Sequence, residues 1–475
     1  MNKNEILRIN VEDYAYEGKG IARVPDKEGS KKFVVFIDRT YPGDEVEAKI
    51  IKVKKKFAIA KLINIYKASG DRVPPRCKYF GVCGGCKQQD LSYEKQIFFK
   101  QKQVKDIFER LGGLGNFEIN SIIPSKLIFN YRNKMEFSFS EKRWLTKEEI
   151  EQNNQIKDRN FALGLHIPKI FDKVLDIEEC FLHPEINNKI LNFTREFFKI
   201  REISIFSTKT HEGFLRNLVL KNSSKTNDLM VNLVTSENLP EIMKQYAGEL
   251  VKFVPQVTTI VNNISKKKSQ VAIGDYEIVY YGQGFIFDYI GKYKFRISAN
   301  SFFQTNTMQA NTLYQIALNK ANLNGEEIVY DLYSGAGTIT IYFSKLVKRI
   351  YGFESVKSAT EDAIYNAELN GVNNVHFINA DLNKSFLPII NELKLPEPTV
   401  IIADPPRSGM NPKTVRDILK LSPKKIIYIS CNPTTQARDI KMIVDSGNYS
   451  LKEITPVDMF PHTFHIENVA LLEKK

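Results

Sequence analysis

Apolar and polar residues alternate in short runs over the first 66 positions, at 6–11, 33–37, 46–53 and 57–65, with Gly18, Gly20, Pro42 and Gly43 between them. This pattern predicts the short strands of a small OB-like β-barrel. A helical spacing takes over at 93–111, where Ile97, Val104, Ile107, Phe108 and Leu111 fall on one side and Gly112 and Gly113 end the run. Strand patterns return at 131–139, 161–180, 217–234 and 257–281, with Lys266, Lys267 and Lys268 at a hairpin tip. Between them 144–160 is polar and mixed in charge, a surface loop or short helix. The last third changes character. Strands at 326–331, 349–354, 375–378, 399–404 and 426–430 alternate with helical stretches, and a hairpin at 451–459 and 466–472 closes the chain. The predicted fold is multidomain α/β: a barrel at 1–68, a β-rich central domain at 69–290 opening on the stiff Pro74-Pro75 pair, and a Rossmann-like domain at 291–475.

With 475 residues, 43% of them apolar and 26% charged, the chain has ample material for more than one core. No run of 18 apolar residues occurs, and the first residues do not read as a signal peptide. A cytoplasmic protein with no membrane role is expected, a monomer by default. The net charge of +13 points to a polyanionic partner. Lys49, Lys52, Lys54, Lys55, Lys56 and Lys61, interrupted by β-formers and Phe57, suit either a solvated edge strand or a surface that tracks phosphates. Small barrels of this kind often bind single strands, which favours RNA.

Five cysteines in a reducing compartment read as ligands or nucleophiles rather than disulfides. Cys77, Cys83 and Cys86 lie within ten residues, with Gly81, Gly84 and Gly85 letting the backbone wrap closely, and Cys180 is the natural fourth thiolate. The spacing lacks the paired short knuckles of a zinc ribbon, so an iron–sulfur cluster is favoured over zinc.

The fifth cysteine stands apart. Ile426, Ile427, Tyr428 and Ile429 lead into Ser430-Cys431, and Asn432-Pro433 stops the strand. Cys431 thus sits at a strand end, the ligand-binding edge of an open α/β sheet, although simple packing is the commoner fate of a free cysteine. Upstream, Asp331 ends a strand before the turn through Gly335 and Gly337, and Glu354 ends the next strand 17 residues beyond Gly337, where it suits a ribose. The third glycine of a dinucleotide fingerprint is absent. Carboxylates at these positions favour S-adenosylmethionine, whose sulfonium and amino group are positive and which has no pyrophosphate to cradle. The order of elements is then that of a class I methyltransferase. In Asp404-Pro-Pro-Arg407 an arginine stands where enzymes that methylate amino nitrogens carry an aromatic. A thiolate beside a methyl donor suits uracil, because addition at C6 makes C5 nucleophilic, and Glu467 is the candidate base for the C5 proton.

The combination of 300–306 (NSFFQTN), 331–337 (DLYSGAG), 404–409 (DPPRSG), 430–433 (SCNP) and 460–467 (FPHTFHIE) resembles the RNA (uracil-C5)-methyltransferase family over essentially the whole chain. The N-terminal barrel resembles that family's TRAM domain. The resemblance implies Cys431 as nucleophile and Glu467 as proton acceptor, with Gln304, Tyr333, Glu354, Asp381 and Asp404 lining the methyl-donor site. It also implies a 4Fe-4S cluster on Cys77, Cys83, Cys86 and Cys180, as in the family's ribosomal-RNA branch. The transfer-RNA branch generally lacks the barrel and cluster, so a flipped-out uridine of 23S rRNA is the expected substrate and tRNA the alternative. Radical methyl transfer at the cluster and a non-catalytic iron–sulfur RNA-binding module are the competing readings.

Overall fold

The computed structural model describes residues 1–25, 32–151, 159–168 and 170–475. Six strands form the N-terminal sheet, in the order Ile6–Asn10, Glu45–Val53, Phe57–Lys67, Lys32–Asp38, Lys19–Pro25 and Asp13–Ala15. Val35, Ile37, Val46, Ala48, Ile50, Ala58 and Ala60 alternate inward to make its core. The hairpin between Glu45–Val53 and Phe57–Lys67 carries Lys52, Lys54, Lys55 and Lys56, all exposed.

The helix expected at 93–111 runs as α-helix over Tyr93–Asp106 and widens into one π-helical turn over Ile107–Leu111. Its apolar side is not the side that is covered throughout. Leu111 is 69% exposed and Phe98 56%, while Gln96, Lys100 and Gln103 are buried. Polar groups on that face meet polar partners from the two ends of the chain, so complementarity rather than hydropathy chose the buried face.

In the middle of the chain an eight-stranded sheet holds the expected strands in the order Tyr276–Tyr281, Thr259–Ile264, Leu229–Thr235, Leu215–Asn222, Lys134–Ser140, Ala162–Ile167, Ile170–Asp176 and Arg143–Trp144. Two helices not anticipated from the sequence, Ile186–Ile200 and Pro240–Phe253, pack on it through Ile190, Leu191, Phe197, Phe198, Met243 and Leu250. The polar excursion forms a short helix at Lys147–Glu151, and its residues 152–158 lie outside the described ones.

The C-terminal sheet also has eight strands: Val375–Asn379, Arg349–Glu354, Ile328–Leu332, Val400–Ala403, Lys425–Ser430, Glu467–Lys474, Tyr449–Val457 and Glu118–Ile119. The first five run parallel, the Glu467–Lys474 strand antiparallel to them. Alternate residues feed two cores, one with Val329, Ile402, Ile427 and Ile429, the other with Tyr330, Ile401, Ile426 and Tyr428. Both faces are therefore covered, as a parallel sheet requires. Among the described residues no helix is long and apolar enough to cross a membrane.

Candidate active site

Parallel strands end on one edge, and the sequence places a functional side chain at or just past each end. In spatial order they are Asp381, Glu354, Tyr333, Asp404 and Cys431. At about 4.8 Å per strand, Asp381 and Cys431 stand roughly 19 Å apart. The row is an elongated cleft edge with the thiol at one end.

Glu467 reaches the same end from the opposite direction. The antiparallel ladder pairs Ser430 with Asn468, and continuing it by one residue sets Cys431 opposite Glu467. Glu467 is buried, and burial followed by the charge of Asp404 pushes its carboxyl well above the ordinary range, against the pull of Arg407. Burial, then Glu467 and Asp404, push the Cys431 thiol up to about 12, with Arg407 opposing. Asp404 is half-buried and pushed up to about 7 by burial alone. Three acids thus crowd one guanidinium, and not all of them can ionise without further positive charge.

Arg407, noted in the sequence only as the residue that replaces an aromatic, is pinned. Its carbonyl accepts from the Asn432 side chain at 3.0 Å and from Thr435 Oγ1 at 3.2 Å, and its guanidinium contacts the His465 ring. Burial and Arg407 push His465 down to about 3, so the ring is neutral. Asn432 also caps the helix Pro433–Val444, accepting from Thr434 N at 3.1 Å, which holds the Cys431 turn against the helix start.

The Gly-rich turn is built for close approach. Tyr333 and Gly337 have φ of 68° and 79°. A Cβ on Gly337 would come within 2.8 Å of the Phe377 ring. Glu354 clamps the turn, accepting from Gly335 N at 3.0 Å and, through its other oxygen, from Val356 N at 2.8 Å. Asp331 is buried behind it, accepts from Thr340 Oγ1 at 2.5 Å and is pushed up to about 7 by burial. Gln304 sits on a segment stitched down by Asn133, whose side chain donates to the Gln304 carbonyl at 2.8 Å and to Thr307 Oγ1 at 2.7 Å. Asp381 is solvent-facing and accepts from Asn383 N at 3.0 Å.

The loop that delivers Glu467 is held from a distance. Lys100 and Asp458, both fully buried, pair at 2.6 Å; Tyr93 donates to Asp458 at 2.8 Å and Lys100 to the Phe460 carbonyl at 3.2 Å. His462, at φ 64°, is buried, its N–H donating to Gln96 and its carbonyl accepting from Lys87 N and Gln88 N. It is an anchor for the loop. None of these polar partners shows in local sequence patterns, because each pair spans some 360 residues. Lys100→Met is expected to cost about 3–5 kcal/mol, since it leaves Asp458 as a buried unpaired charge, while adding Asp458→Leu should recover most of the loss. Urea titration measures both; a loss under about 1 kcal/mol would mean that the pair contributes little to the fold.

Cys77, Cys83, Cys86 and Cys180 all line one cavity of about 360 Å³, together with Gln89, Arg132 and Thr463. Gly85 N donates to Cys83 Sγ at 3.3 Å and the Gln89 amide to Cys86 Sγ at 3.4 Å. Burial pushes all four thiols up. Among the described residues no group of three or more His, Cys, Asp or Glu side chains is arranged to hold a single metal ion.

The family described as tRNA (Uracil-5-)-methyltransferase matches residues 218–475, and the TRAM domain family matches residues 2–63. An "Uncharacterized RNA methyltransferase" of Chlorobaculum tepidum is 42% identical over 99% of this chain and 97% of its own length. One of Bacteroides thetaiotaomicron is also 42% identical, over 97% and 99%. Among solved structures, the tRNA (uracil-54, C5)-methyltransferase of Pyrococcus abyssi, in complex with S-adenosyl-L-homocysteine, is similar with a TM-score of 0.74 and 31% identity, covering 98% of this chain and 100% of that one.

Proposed function

The chain belongs to the tRNA (uracil-5-)-methyltransferase family of S-adenosylmethionine-dependent RNA methyltransferases, and from that premise we propose that it converts a uridine of 23S rRNA to 5-methyluridine, with Cys431 as nucleophile and Glu467 as base. The observation that carries this reading is the register that sets Glu467 opposite Cys431 at the sheet edge. Cys431 Sγ adds to uracil C6, and the electrons of the C5–C6 double bond move toward O4. C5 then attacks the sulfonium methyl, and S-adenosylhomocysteine leaves. Glu467 takes the C5 proton, the double bond re-forms, and the thiolate is expelled. Gln304, Tyr333, Glu354, Asp381 and Asp404 are the proposed donor-site residues, with Glu354 at the position suited to ribose hydroxyls.

Charge balance couples donor to nucleophile. Without the donor, burial and the charge of Asp404 disfavour ionisation of Cys431 and Glu467, and burial disfavours that of Asp404 itself. The sulfonium and ammonium of S-adenosylmethionine supply the missing positive charge, so its binding favours loss of those protons. Below a raised thiol pKa the thiolate fraction grows tenfold per pH unit. The rate of single-turnover methylation is therefore expected to rise from pH 6 to 9 with a logarithmic slope near +1. A flat profile would remove thiolate formation from the mechanism.

The four cysteines fit a 4Fe-4S cluster, which we assign to them. They line one cavity of about 360 Å³, and two N–H groups are already directed at their sulfurs. Bound there, a cluster would supply positive charge to stabilise the thiolates and cross-link residues 77–86 to Cys180. The proposed division is a TRAM barrel at 1–68, a central domain at 69–290 and a methyltransferase domain at 291–475, acting in the cytoplasm on RNA.

Transfer RNA is the second reading, and the observation favouring it is the end-to-end match to the Pyrococcus abyssi enzyme. The barrel and central domain therefore do not by themselves separate the two substrates. Mass spectrometry of unmodified 23S rRNA and tRNA incubated with the protein and methyl-labelled S-adenosylmethionine decides. 5-Methyluridine in rRNA supports the first reading, in tRNA alone the second, and in neither the non-catalytic module.

A further inference from the structure

The N-terminal sheet contributes one residue to the edge of this site. Its turn after Asp13–Ala15 carries Tyr16, half-buried, with Glu17 and Gly18 at φ of 68° and 81°. The Tyr16 ring meets the Phe464 ring edge-on at 6.0 Å and packs against the core of the methyltransferase sheet. The Phe464 ring lies 4.3 Å from the His465 ring, tilted at 46°, and His465 contacts Arg407. The charges that act on the Tyr16 hydroxyl are those of Arg407, Cys431, Glu17 and Glu467. The hydroxyl has no hydrogen-bond partner among the described residues.

The turn is rigidly mounted. Gln103 donates to the carbonyls of Tyr14 at 3.2 Å and Ala15 at 3.0 Å, Lys102 pairs with Asp13 at 2.8 Å, and the Tyr14 ring lies 5.3 Å from both Tyr41 and Phe99. Gly18 passes so close that a Cβ there would lie 3.9 Å from Phe464 Cβ. A barrel that served only to hold distant RNA backbone would have no need to seat an unpartnered phenol beside the nucleophile.

We propose that Tyr16 is a wall of the uracil pocket and donates its hydroxyl hydrogen bond to one of the two carbonyl oxygens of the flipped-out base. The role follows from what the site lacks. Asp404 and Glu467 present carboxyls and Cys431 a thiol, while uracil offers two carbonyl acceptors, which call for neutral or cationic donors. Arg407 is one such donor and Tyr16 the other. Burial keeps the phenol protonated through the working range of pH, so it remains a donor beside the thiolate. The N-terminal sheet thereby checks that the base is seated before Cys431 adds to it.

The inference rests on the uracil-C5 reading above, and the test separates the two. Wild type, Tyr16→Phe, Tyr16→Ala and Cys431→Ala are assayed for kcat/KM on RNA carrying uridine, 2-thiouridine or 4-thiouridine at the target, with thermal melting and S-adenosylhomocysteine binding as controls. Tyr16→Phe keeps the ring contact with Phe464 and is expected to lose about tenfold in kcat/KM on uridine, with melting and cofactor binding unchanged. The loss should shrink on whichever thio-substituted base replaces the accepting oxygen by the weaker acceptor sulfur, a change that a merely structural role would not produce. Tyr16→Ala should lose more. Equal kcat/KM for Tyr16→Phe and wild type, or one penalty across all three bases, overturns the role of Tyr16 while leaving the uracil reading intact. A wild type that forms no 5-methyluridine overturns both.

Discussion

Glu467→Gln is expected to leave the protein covalently joined to its RNA. The amide keeps the shape and hydrogen-bonding capacity of a carboxyl whose ionisation burial already disfavours, so folding should be little affected. Addition of Cys431 to C6 and methyl transfer to C5 do not need Glu467, but removal of the C5 proton does. Turnover should fall by roughly 10²–10⁴, the usual range for loss of a positioned base. Stoichiometric RNA-protein adduct should survive denaturing electrophoresis, carry the labelled methyl group, and vanish in the Cys431→Ala/Glu467→Gln double variant. A Glu467→Gln protein that turns over normally, with no adduct, would move the base elsewhere on the edge.

Cys431→Ala is expected to abolish methyl transfer, by on the order of 10⁴-fold or more, since C5 of uracil is not nucleophilic until C6 is attacked and no other described group stands ready to attack it. The side chain is only partly covered, so unfolding stability should change little. S-adenosylhomocysteine binding should persist, because the proposed donor residues lie along the other strand ends. Residual activity above a hundredth of wild type would exclude covalent catalysis by this thiol.

The row of candidate side chains along the sheet edge is legible because each is announced locally. Apolar runs ended by Gly, Asp-Pro or Asn-Pro mark strand ends, and in a parallel sheet all those ends fall on one edge. Periodicity was a weaker guide where packing was polar. The helix Tyr93–Asp106 buries Gln96, Lys100 and Gln103, which no apolar pattern reports. The two central helices did carry a signal, with Ile190, Leu191, Thr194, Phe197 and Phe198 at helical spacing, within a region read as strands alone. The edge strand Glu118–Ile119 is too short for any periodicity and exists only because Glu453 and Ile454 offer it a partner.

By itself the sequence determined which residues are the candidates for the chemistry and which local conformation presents each of them. Backbone propensities, turn residues and strand stops act over a few positions, and for Cys431, Glu354 and the Gly335–Gly337 turn those positions are adjacent. The tertiary structure alone decided that Glu467 lies opposite Cys431, that Lys100 and Asp458 pair in the core, and that Tyr16 packs on Phe464 beside the methyltransferase sheet. Each of these joins groups far apart in the chain, and whether a buried polar group is tolerated depends on a partner that only the completed packing brings within hydrogen-bond range.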